Sequence, residues 1–577
     1  MVRGKKKRWA LLLALAMTMQ LVGCGNDDSP AGGEGGSPES AADAGQPETT
    51  QQSEKLMESA EESKESEEAE NTDASAEDYP IDWKDDSFKQ YMQALTGIRD
   101  RDIMYSDIQD ITRLDIWLEG FGDYSAVADF TNLKMLSMSG FDNKLNLEVL
   151  DSLENLEELA LIGIDASAVD SISTIHLPNL STLKLEGEGI AKLDMLPFDM
   201  PMLKSLELGL YDLEDLGGLS AFPGLETLKL NSNVSNVDDL SSLTALTELD
   251  LSNCHNITNI DGLSGLSNLI SLNLSWCDGI TSLDALTGLS NLAVLDLSYC
   301  NGIESLEVLA GLPGLETLKT SMGENGSIST LSSLQNVKAL DLDLGWNDRV
   351  DYSVLADMTN LSSLKLKSEY GGLNFEILSN LGLTSLDLTQ YNSSVELGQL
   401  ASIFPGLITL KIRAYEIKQD VSALSALTNL KELEVWCVDD FDFESLAGLT
   451  GLETFALMNY QNYMEESPEL SPLEALPNLT VLDLTGSQLP IDTSQLSGLT
   501  NLKMLKLRAC GITDISGLSG LTNLETLDLS VNNFTDVSSL SGLTNLTTLN
   551  LKGNEITDYS PVSFVPEVLI GWDDYIG

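Results

Sequence analysis

The sequence predicts an α/β solenoid, a stack of about 20 coils with one parallel β-sheet on its concave side and a helical cap over the first coil. From about Ile111 the sequence repeats, with most copies 21 to 27 residues apart. Each copy has an L-x-L centre, and this alternation is typical of a short strand with one buried face. Leucines recur at matching places in neighbouring copies, such as Leu246, Leu249, Leu251, Leu269, Leu272 and Leu274. Stacked copies therefore share one continuous core.

The first segment has the pattern of a secretory signal. A basic start precedes an apolar run from Trp9 to Val22 that is too short to be a good membrane-spanning helix. The closing Leu21-Val22-Gly23-Cys24 resembles the bacterial lipobox. This resemblance implies a lipoprotein signal peptide over residues 1–23, a diacylglycerol on Cys24, and localisation at the extracellular face of the bacterial cell membrane, where several acyl chains anchor stably. The alternative is an ordinary signal peptide with an incidental Cys.

An acidic linker follows the lipidated Cys over residues 24–79. It is rich in Gly, Ser, Ala, Pro and Glu and has almost no aromatic or β-branched residues. Such a segment buries too little apolar surface to offset its ordering entropy, so we predict a disordered tether. The alternative is that the linker is itself a ligand for a basic partner.

Residues 80–110 are predicted to form the helical N-terminal cap of the solenoid. Phe88, Tyr91, Met92 and Leu95 follow the spacing i, i+3, i+4, i+7, which places them on one helical face. Asp86 or Ser87 is the expected N-cap residue. The cap covers the first coil, because the open end of a solenoid otherwise exposes its core.

The repeats themselves carry a family resemblance. The pattern L-x-x-L-x-x-L-x-L-x-x-N/C-x-I-T is clearest in the 22-residue copies that start at Leu499, Leu521 and Leu543. It resembles the leucine-rich repeat, and the 22-residue form resembles that of internalin-type bacterial surface proteins. The resemblance implies a horseshoe-shaped solenoid over residues 111–564, with residues 565–577 as the C-terminal cap. Solenoids of this kind usually bind partners through the concave face.

The reactive side chains give no support for an enzyme. Four of the cysteines, Cys254, Cys277, Cys300 and Cys510, occupy the N/C position of the repeat. We predict buried free thiols there, with a disulfide or a metal site as alternatives that fit less well. The two histidines, His176 and His255, have no nucleophile partner in the sequence pattern. We therefore expect no catalytic residues, no metal and no cofactor.

Charge restricts the partners. The net charge of −59 opposes binding to nucleic acid and to anionic lipid surfaces. Along the outward x positions of the L-x-L strands the sign alternates from coil to coil, in the order Asp296, Lys319, Asp341, Lys365, Asp387, Lys411, Glu434. Side chains on adjacent strands can reach one another, so the first interpretation is a ladder of cross-strand ion pairs. A direct role in ligand binding is the second.

A cluster of aromatic and basic residues on coils 11 to 16 is the candidate binding site. Aromatic and Arg side chains are the usual anchors of protein interfaces. The predicted partner-binding residues are Trp346, Lys365, Lys367, Tyr370, Tyr391, Lys411, Arg413, Tyr415, Trp436 and Tyr460. Alternatively, Tyr391, Tyr415 and Tyr460 fill irregular turns. The local excess of bases keeps an acidic protein segment or a charged glycan open as a partner.

These observations predict a monomeric, lipid-anchored cell-surface binding or adhesion protein. Its concave face would recognise a protein, a peptide or a glycan, and it would contact the membrane only through the N-terminal lipid. A structural protein that spaces the envelope is the main alternative, and it predicts tolerance of substitutions on that face. An enzyme or a non-catalytic scaffold comes third.

Overall fold

A computed structural model of the chain describes residues 78–117, 122–140, 147–166, 174–196, 198–321, 328–345, 351–368, 374–418, 421–436, 441–458, 468–486 and 491–571. The chain divides into two compact units, residues 1–76 and 77–577, and the described residues all belong to the second. The predicted signal peptide, Cys24 and the acidic linker up to residue 77 lie outside the described residues.

In the part of the second unit that the structure describes, twenty-one strands form one parallel sheet and two more form a small separate sheet. In chain order the strands are β1 (Arg113–Trp117), β2 (Met135–Ser139), β3 (Glu158–Asp165), β4 (Ile175–His176), β5 (Thr182–Glu188), β6 (Phe198–Asp199), β7 (Ser205–Leu210), β8 (Thr227–Leu230), β9 (Glu248–Asp250), β10 (Ser271–Asn273), β11 (Val294–Leu297), β12 (Thr317–Ser321), β13 (Ala339–Asp343), β14 (Ser363–Ser368), β15 (Ser385–Glu396), β16 (Thr409–Lys418), β17 (Glu432–Trp436), β18 (Thr454–Met458), β19 (Val481–Asp483), β20 (Met504–Lys506), β21 (Thr526–Asp528), β22 (Thr548–Asn550) and β23 (Glu567–Leu569). Strands β4 and β6 make the small sheet.

Each strand of the large sheet pairs with the next one along the chain. The register keeps equivalent residues side by side, so that Leu249 of β9 lies beside Leu272 of β10, which lies beside Leu295 of β11. All three are at most 1% exposed. The inward leucines therefore join one core that extends from Ile81 to Val565. This confirms the predicted solenoid with its parallel sheet.

Helical turns close most of the described coils on the side away from the strand. In the described ranges the α-helices are α1 (Asp86–Thr96) and α2 (Tyr105–Ile108), which precede the first strand, and α3 (Leu397–Ile403). Short 3-10 helices occupy the equivalent place in most coils: Ser125–Asp129, Leu147–Ser152, Leu193–Met195, Gly217–Ala221, Asp238–Ser242, Asp261–Leu263, Asp284–Leu286, Glu307–Gly311, Ser329–Ser333, Tyr352–Asp357, Phe375–Leu378, Val421–Ala426, Phe443–Leu446, Ser471–Ala475, Thr493–Leu496, Ser516–Gly520, Ser538–Gly542 and Ser560–Val562. None of the helices in the described ranges has the length and apolar character needed to cross a membrane.

The N-terminal helix differs from its prediction at both ends. Its N-cap is Asp85, whose carboxylate accepts the N–H of Phe88 at 2.8 Å and also that of Gly122 at 2.8 Å. The N-cap is therefore one residue before the predicted Asp86 or Ser87, because Asp85 serves a neighbouring loop as well as the helix. Phe88 and Met92 are buried as expected, but Leu95 is 53% exposed. The helix ends beside it at Gly97, which has φ 74.

Asparagine side chains join successive coils at the edge where the strands begin. The amide of Asn268 donates to the carbonyl of Thr244 at 2.9 Å, and that of Asn291 donates to Ser267 at 2.9 Å. Asn523 repeats the contact with Thr500 at 2.8 Å. This ladder satisfies backbone carbonyls that the short strands leave without a partner.

Candidate functional site

The outer face of the sheet consists of the strand side chains that point away from the leucine core. Several residues of its central column form the cross-strand pairs that the alternating charges predict, whereas Asp387 forms none among the described residues. Lys319 lies 3.2 Å from Asp296, and Lys365 lies 3.2 Å from Asp341. Such partly exposed pairs each contribute about 0.2–1 kcal/mol, so the ladder mainly fixes the positions of the side chains.

Four bases and one tryptophan meet on strands β14, β16 and β17. We call Lys365, Lys367, Lys411, Arg413 and Trp436 the central patch. Strand register places Arg413 directly beside Trp436, and Lys367 beside Asp343 of β13. The central patch thus brings together five of the ten residues predicted to bind a partner.

Arg413 and Trp436 form the centre of this patch. The guanidinium carbon of Arg413 lies 4.3 Å from the centroid of the Trp436 ring, within the range of a cation–π contact. Glu434 holds both side chains: it accepts from Arg413 Nη2 at 3.2 Å and from the Trp436 indole N–H at 2.5 Å. Because one carboxylate fixes both, the pair presents a preorganised cationic and aromatic surface.

The lysines of the patch are held by acids of neighbouring strands. Lys411 Nζ lies 2.8 Å from Glu432 and 3.6 Å from Glu434, and Lys367 Nζ lies 2.9 Å from Asp343. Burial opposes the charge of Lys411, but its hydrogen bond to Glu432 and the nearby carboxylates raise its pKa above the usual value. Lys411 therefore stays charged at neutral pH.

These pairs change the expected charge of the surface. The strands that carry the bases have a local positive excess, but β13 and β17 supply Asp341, Asp343, Glu432 and Glu434 as counter-charges. A partner that approaches this face meets fixed charges of both signs. Net positive charge is therefore a weaker basis for recognition than the sequence suggests.

Asp387 of β15 lies between the bases of the central patch, but its carboxylate forms no ion pair with them in the described residues. Its Oδ1 is buried and has no hydrogen-bond partner among the described residues. Burial raises the pKa of Asp387, against the opposing effects of Lys365, Arg413 and Lys411. A partly buried carboxylate whose charged form is disfavoured is an energetic weak point of the outer face.

The remaining predicted site residues cannot be placed in this cluster. Trp346, Tyr370 and Tyr460 lie outside the described residues. Tyr391 is on β15 and Tyr415 is on β16, but their side chains also lie outside the described part. The interpretation of these tyrosines as binding residues or as turn fillers therefore stays a prediction.

The structure reveals a second aromatic feature that the sequence analysis missed. Trp276 and Tyr299 stack with ring centroids 4.1 Å apart and planes inclined by 16°. Trp276 remains 46% exposed. The Tyr299 hydroxyl donates to Asp343 Oδ2 at 3.2 Å, the same oxygen that Lys367 contacts. The matching Ser-Trp-Cys and Ser-Tyr-Cys triplets, 23 residues apart, are the sequence signal for this stack.

Both aromatic residues have a backbone conformation that large side chains rarely adopt. Trp276 has φ 64 and Tyr299 has φ 60, in the left-handed region. Glycine occupies that conformation at the ends of other strands, as at Gly345 and Gly486. A non-glycine residue there costs about 1–2 kcal/mol. The coil would be less strained with glycine at either position.

The four described cysteines line the core just behind these strand ends. All four are buried free thiols, as predicted. The Cys277 thiol donates to the carbonyl of Leu251 at 3.1 Å, and the Cys300 thiol donates to Leu274 at 2.9 Å. Burial raises the pKa of Cys300 to about 12. The thiols therefore serve as hydrogen-bonding core residues. In the described ranges no group of three or more His, Cys, Asp and Glu is arranged to hold a metal ion.

Comparisons with known proteins agree with the fold. The family described as "Leucine Rich repeats (2 copies)" matches residues 500–542 and 522–563. No curated protein matches the chain. Similar solved structures include internalin F from Listeria monocytogenes, with 18% identity over 85% of this chain and 96% of that one and a TM-score of 0.26.

Two further structures come from complexes. The TLR13–ssRNA13 complex shows 17% identity over 78% of this chain and 86% of that one, with a TM-score of 0.49. The mouse RP105/MD-1 complex shows 20% identity over 80% and 77%, with a TM-score of 0.47. At these identities the likeness concerns the fold alone. The matched repeats and the continuous parallel sheet make this chain a leucine-rich repeat solenoid.

Proposed function

We propose that this protein is a lipid-anchored bacterial surface protein that binds a protein or peptide through the central patch on the outer face of its sheet. The observation that carries the proposal is the Arg413–Trp436 pair, in which Glu434 holds a guanidinium 4.3 Å from an indole centroid. Trp and Arg are the residue types that contribute most often to interface hot spots.

Preorganisation is the physical advantage of this arrangement. Binding usually costs about 0.5–1.5 kcal/mol for each long side chain that must be immobilised. In the central patch, Lys367, Lys411 and Arg413 are already held by acids of adjacent strands. A partner therefore gains contacts with these side chains at a reduced entropic cost.

The partner expected here is a polypeptide with both acidic and apolar side chains. The Arg413 side chain is still 42% exposed, so part of its guanidinium can meet a carboxylate. The face of fixed positive and negative groups suits a mixed sequence better than a uniform polyanion. Nucleic acid is not proposed, because the net charge of −59 opposes its approach.

Binding can be tested with the mature chain, residues 24–577. Panning a library of random 12-residue peptides on the immobilised protein should enrich binders. Their affinity should fall about tenfold or more for Arg413→Glu and Trp436→Ala. Trp117→Ala is the matched control, because Trp117 is 47% exposed at the far end of the sheet. Equal affinity for all three variants would reject the central patch as the binding site.

A structural spacer is the second candidate, because the pairing of each base with an acid is also what a purely structural surface would show. A spacer predicts that panning enriches no peptide and that the variants behave alike. Circular dichroism melts of Arg413→Glu and Trp436→Ala should accompany the panning. Lost binding then counts only where the variant is folded.

The anchor is proposed on the lipobox resemblance of Leu21-Val22-Gly23-Cys24. In a bacterial host, the parent protein should fractionate with membranes and carry a lipid on Cys24 by mass spectrometry. Cys24→Ser should release it to the soluble fraction. A Cys24→Ser protein that stays with the membrane would show that the anchor lies elsewhere.

A further inference from the structure

The stacked pair of Trp276 and Tyr299 lies at the ends of β10 and β11, and Asp343 links it to Lys367 at the edge of the central patch. The two rings follow each other along the solenoid, since they occupy equivalent positions on neighbouring coils and stack at 4.1 Å. Tyr299 therefore covers the indole face that points toward the next coil. The opposite face points back toward the coil of Asn253.

Asn253 occupies the same position one coil earlier, with φ 63. It is exposed, and its side chain is too short to cover an indole ring. Among the contacts of the described residues, its amide group makes no hydrogen bond and is free to meet a ligand. The open ring face and the free amide thus lie about one coil spacing apart, roughly 4.8 Å.

Polar side chains flank the two stacked residues along the chain. Two residues further along each coil lie His255, Asp278 and Asn301, all of them exposed. On the side of the sheet lie Ser252, Ser275 and Ser298, which are partly buried. These six side chains contain hydroxyl, amide, imidazole and carboxylate groups and no aliphatic group. The indole is therefore a flat apolar surface between two rows of hydrogen-bonding groups.

We propose that Trp276 is a sugar-binding platform, on which a neutral gluco-configured pyranose stacks against the indole face opposite Tyr299 while Asn253 hydrogen-bonds its hydroxyls. Such a pyranose has axial C–H groups on its flat faces, and these are attracted to the electron-rich face of an aromatic ring. Its equatorial hydroxyls point outward, toward the polar rows.

Other partners fit this surface less well. A protein hot spot needs a well-packed apolar pocket from which water is excluded, and the flanking rows are polar. A quaternary ammonium is held by several rings that form a cage, whereas a parallel stack offers one open face. An anionic sugar would be repelled by Asp278 and by the net charge of the chain.

The backbone conformation is a further observation. At this position the left-handed conformation is adopted by glycine at Gly486 and Gly553 and by the small or medium-sized residues Ala509 and Val531. Two adjacent coils instead carry the two bulkiest aromatic side chains there, and one of them remains 46% exposed. Strained conformations at exposed residues are a common mark of functional sites.

The test uses the mature chain with cellohexaose and chitohexaose as probes, measured by titration calorimetry and saturation-transfer NMR. At least one probe should bind, with contact signals on its axial protons. Trp276→Gly removes the ring and suits the left-handed backbone, so it should fold normally and weaken binding about tenfold or more. Asn253→Ala should weaken binding to a smaller extent.

Two controls separate this site from the rest of the surface. Tyr299→Phe keeps the stack and loses only the hydroxyl contact with Asp343, so it should bind as the parent does. Arg413→Glu lies in the central patch, so it should also leave sugar binding unchanged. Sugar binding that survives in Arg413→Glu while peptide binding is lost would show two independent sites.

The proposal is overturned if neither neutral hexasaccharide binds at millimolar concentration. It is also overturned if Trp276→Gly binds as tightly as the parent. Heparin hexasaccharide serves as an anionic comparison probe. Binding of heparin but of neither neutral hexasaccharide would also overturn the proposal, because the site would then recognise charge.

Discussion

The side chain of Asn532 bonds to the backbone of Cys510 in the preceding coil. Its Oδ1 accepts the N–H of Cys510 at 3.1 Å and that of Ile512 at 3.0 Å. Its amide donates to three backbone carbonyls, including that of Leu507 at 2.8 Å. Either Asn or Cys occupies this position in these repeats. The amide satisfies more backbone groups than the thiol does.

We therefore expect Asn532→Ala to lower the free energy of unfolding by about 2–4 kcal/mol, because it leaves several buried backbone groups without partners. Guanidinium titration followed by circular dichroism would measure the loss. Asn545→Ala is the matched control, since the exposed Asn545 makes a single contact with Thr522 at 2.9 Å. It should cost about 0.5–1 kcal/mol. Equal losses for the two variants would contradict the role assigned to Asn532.

Close packing between coils leads to a second prediction, which concerns the stability of a variant at Gly262. A Cβ atom at this residue would lie 2.2 Å from the carbonyl oxygen of Val237 and 2.8 Å from Asp238 Cα. Gly262→Ala should therefore lower the stability by about 2 kcal/mol or more, as coils are forced apart. Gly265, three residues later, has nothing within 4 Å of its Cβ position.

Gly265→Ala should change stability by no more than about 0.5 kcal/mol, or raise it slightly by restricting the unfolded chain. Thermal melts of both variants and the parent in the same buffer would compare their stabilities. A Gly262→Ala protein as stable as Gly265→Ala would mean that the coils separate more easily than the packing indicates.

The buried thiols should not react with alkylating reagents while the protein is folded. Burial raises the pKa of Cys254, Cys277 and Cys300, so little thiolate exists at pH 8. Iodoacetamide should leave the native Cys254, Cys277, Cys300 and Cys510 unmodified, and it should alkylate all four in guanidinium. Peptide mass spectrometry would measure the alkylation of each cysteine in the native and in the denatured protein. A disulfide between any two of them in the non-reduced native protein would refute the free-thiol assignment.

Asp387 gives a pH-dependent prediction. Burial raises its pKa above the ordinary value of 3.8 in the folded chain. The folded state then holds the proton more tightly than the unfolded state, so stability is lost as the pH rises from 3.8 through the raised pKa. At pH 7, Asp387→Asn should be as stable as the parent or more stable, and this advantage should vanish at pH 3.

Asp341→Asn is the control for Asp387→Asn. Asp341 pairs with Lys365 at 3.2 Å on the same face, so its loss should destabilise the protein by up to about 1 kcal/mol at pH 7. Urea titrations at pH 3, 5 and 7 would show the two trends. If Asp387→Asn proves less stable than Asp341→Asn at pH 7, the attraction of Lys365, Lys411 and Arg413 outweighs the cost of burial.

Sequence reasoning succeeded where one repeat predicts the next. The L-x-L alternation places Leu249, Leu272 and Leu295 on one buried face, and the observed register does so. The alternating signs of Asp296 and Lys319 predicted a contact that the structure shows at 3.2 Å. Sequence reasoning failed at the N-terminal cap. Leu95 shares the helical spacing of the buried residues, but it is exposed because it lies at the end of the helix.

The sequence by itself determined the solenoid, the inward leucines and the free thiols, because each follows from a local pattern repeated at a nearly constant interval. Only the tertiary structure decided which acid holds each base of the central patch, how deeply Asp387 is buried, and that Trp276 stacks on Tyr299. These features depend on rotamers and on backbone angles at the strand ends. Residues about 23 positions apart fix them jointly once the coils are stacked, and no single repeat contains that information.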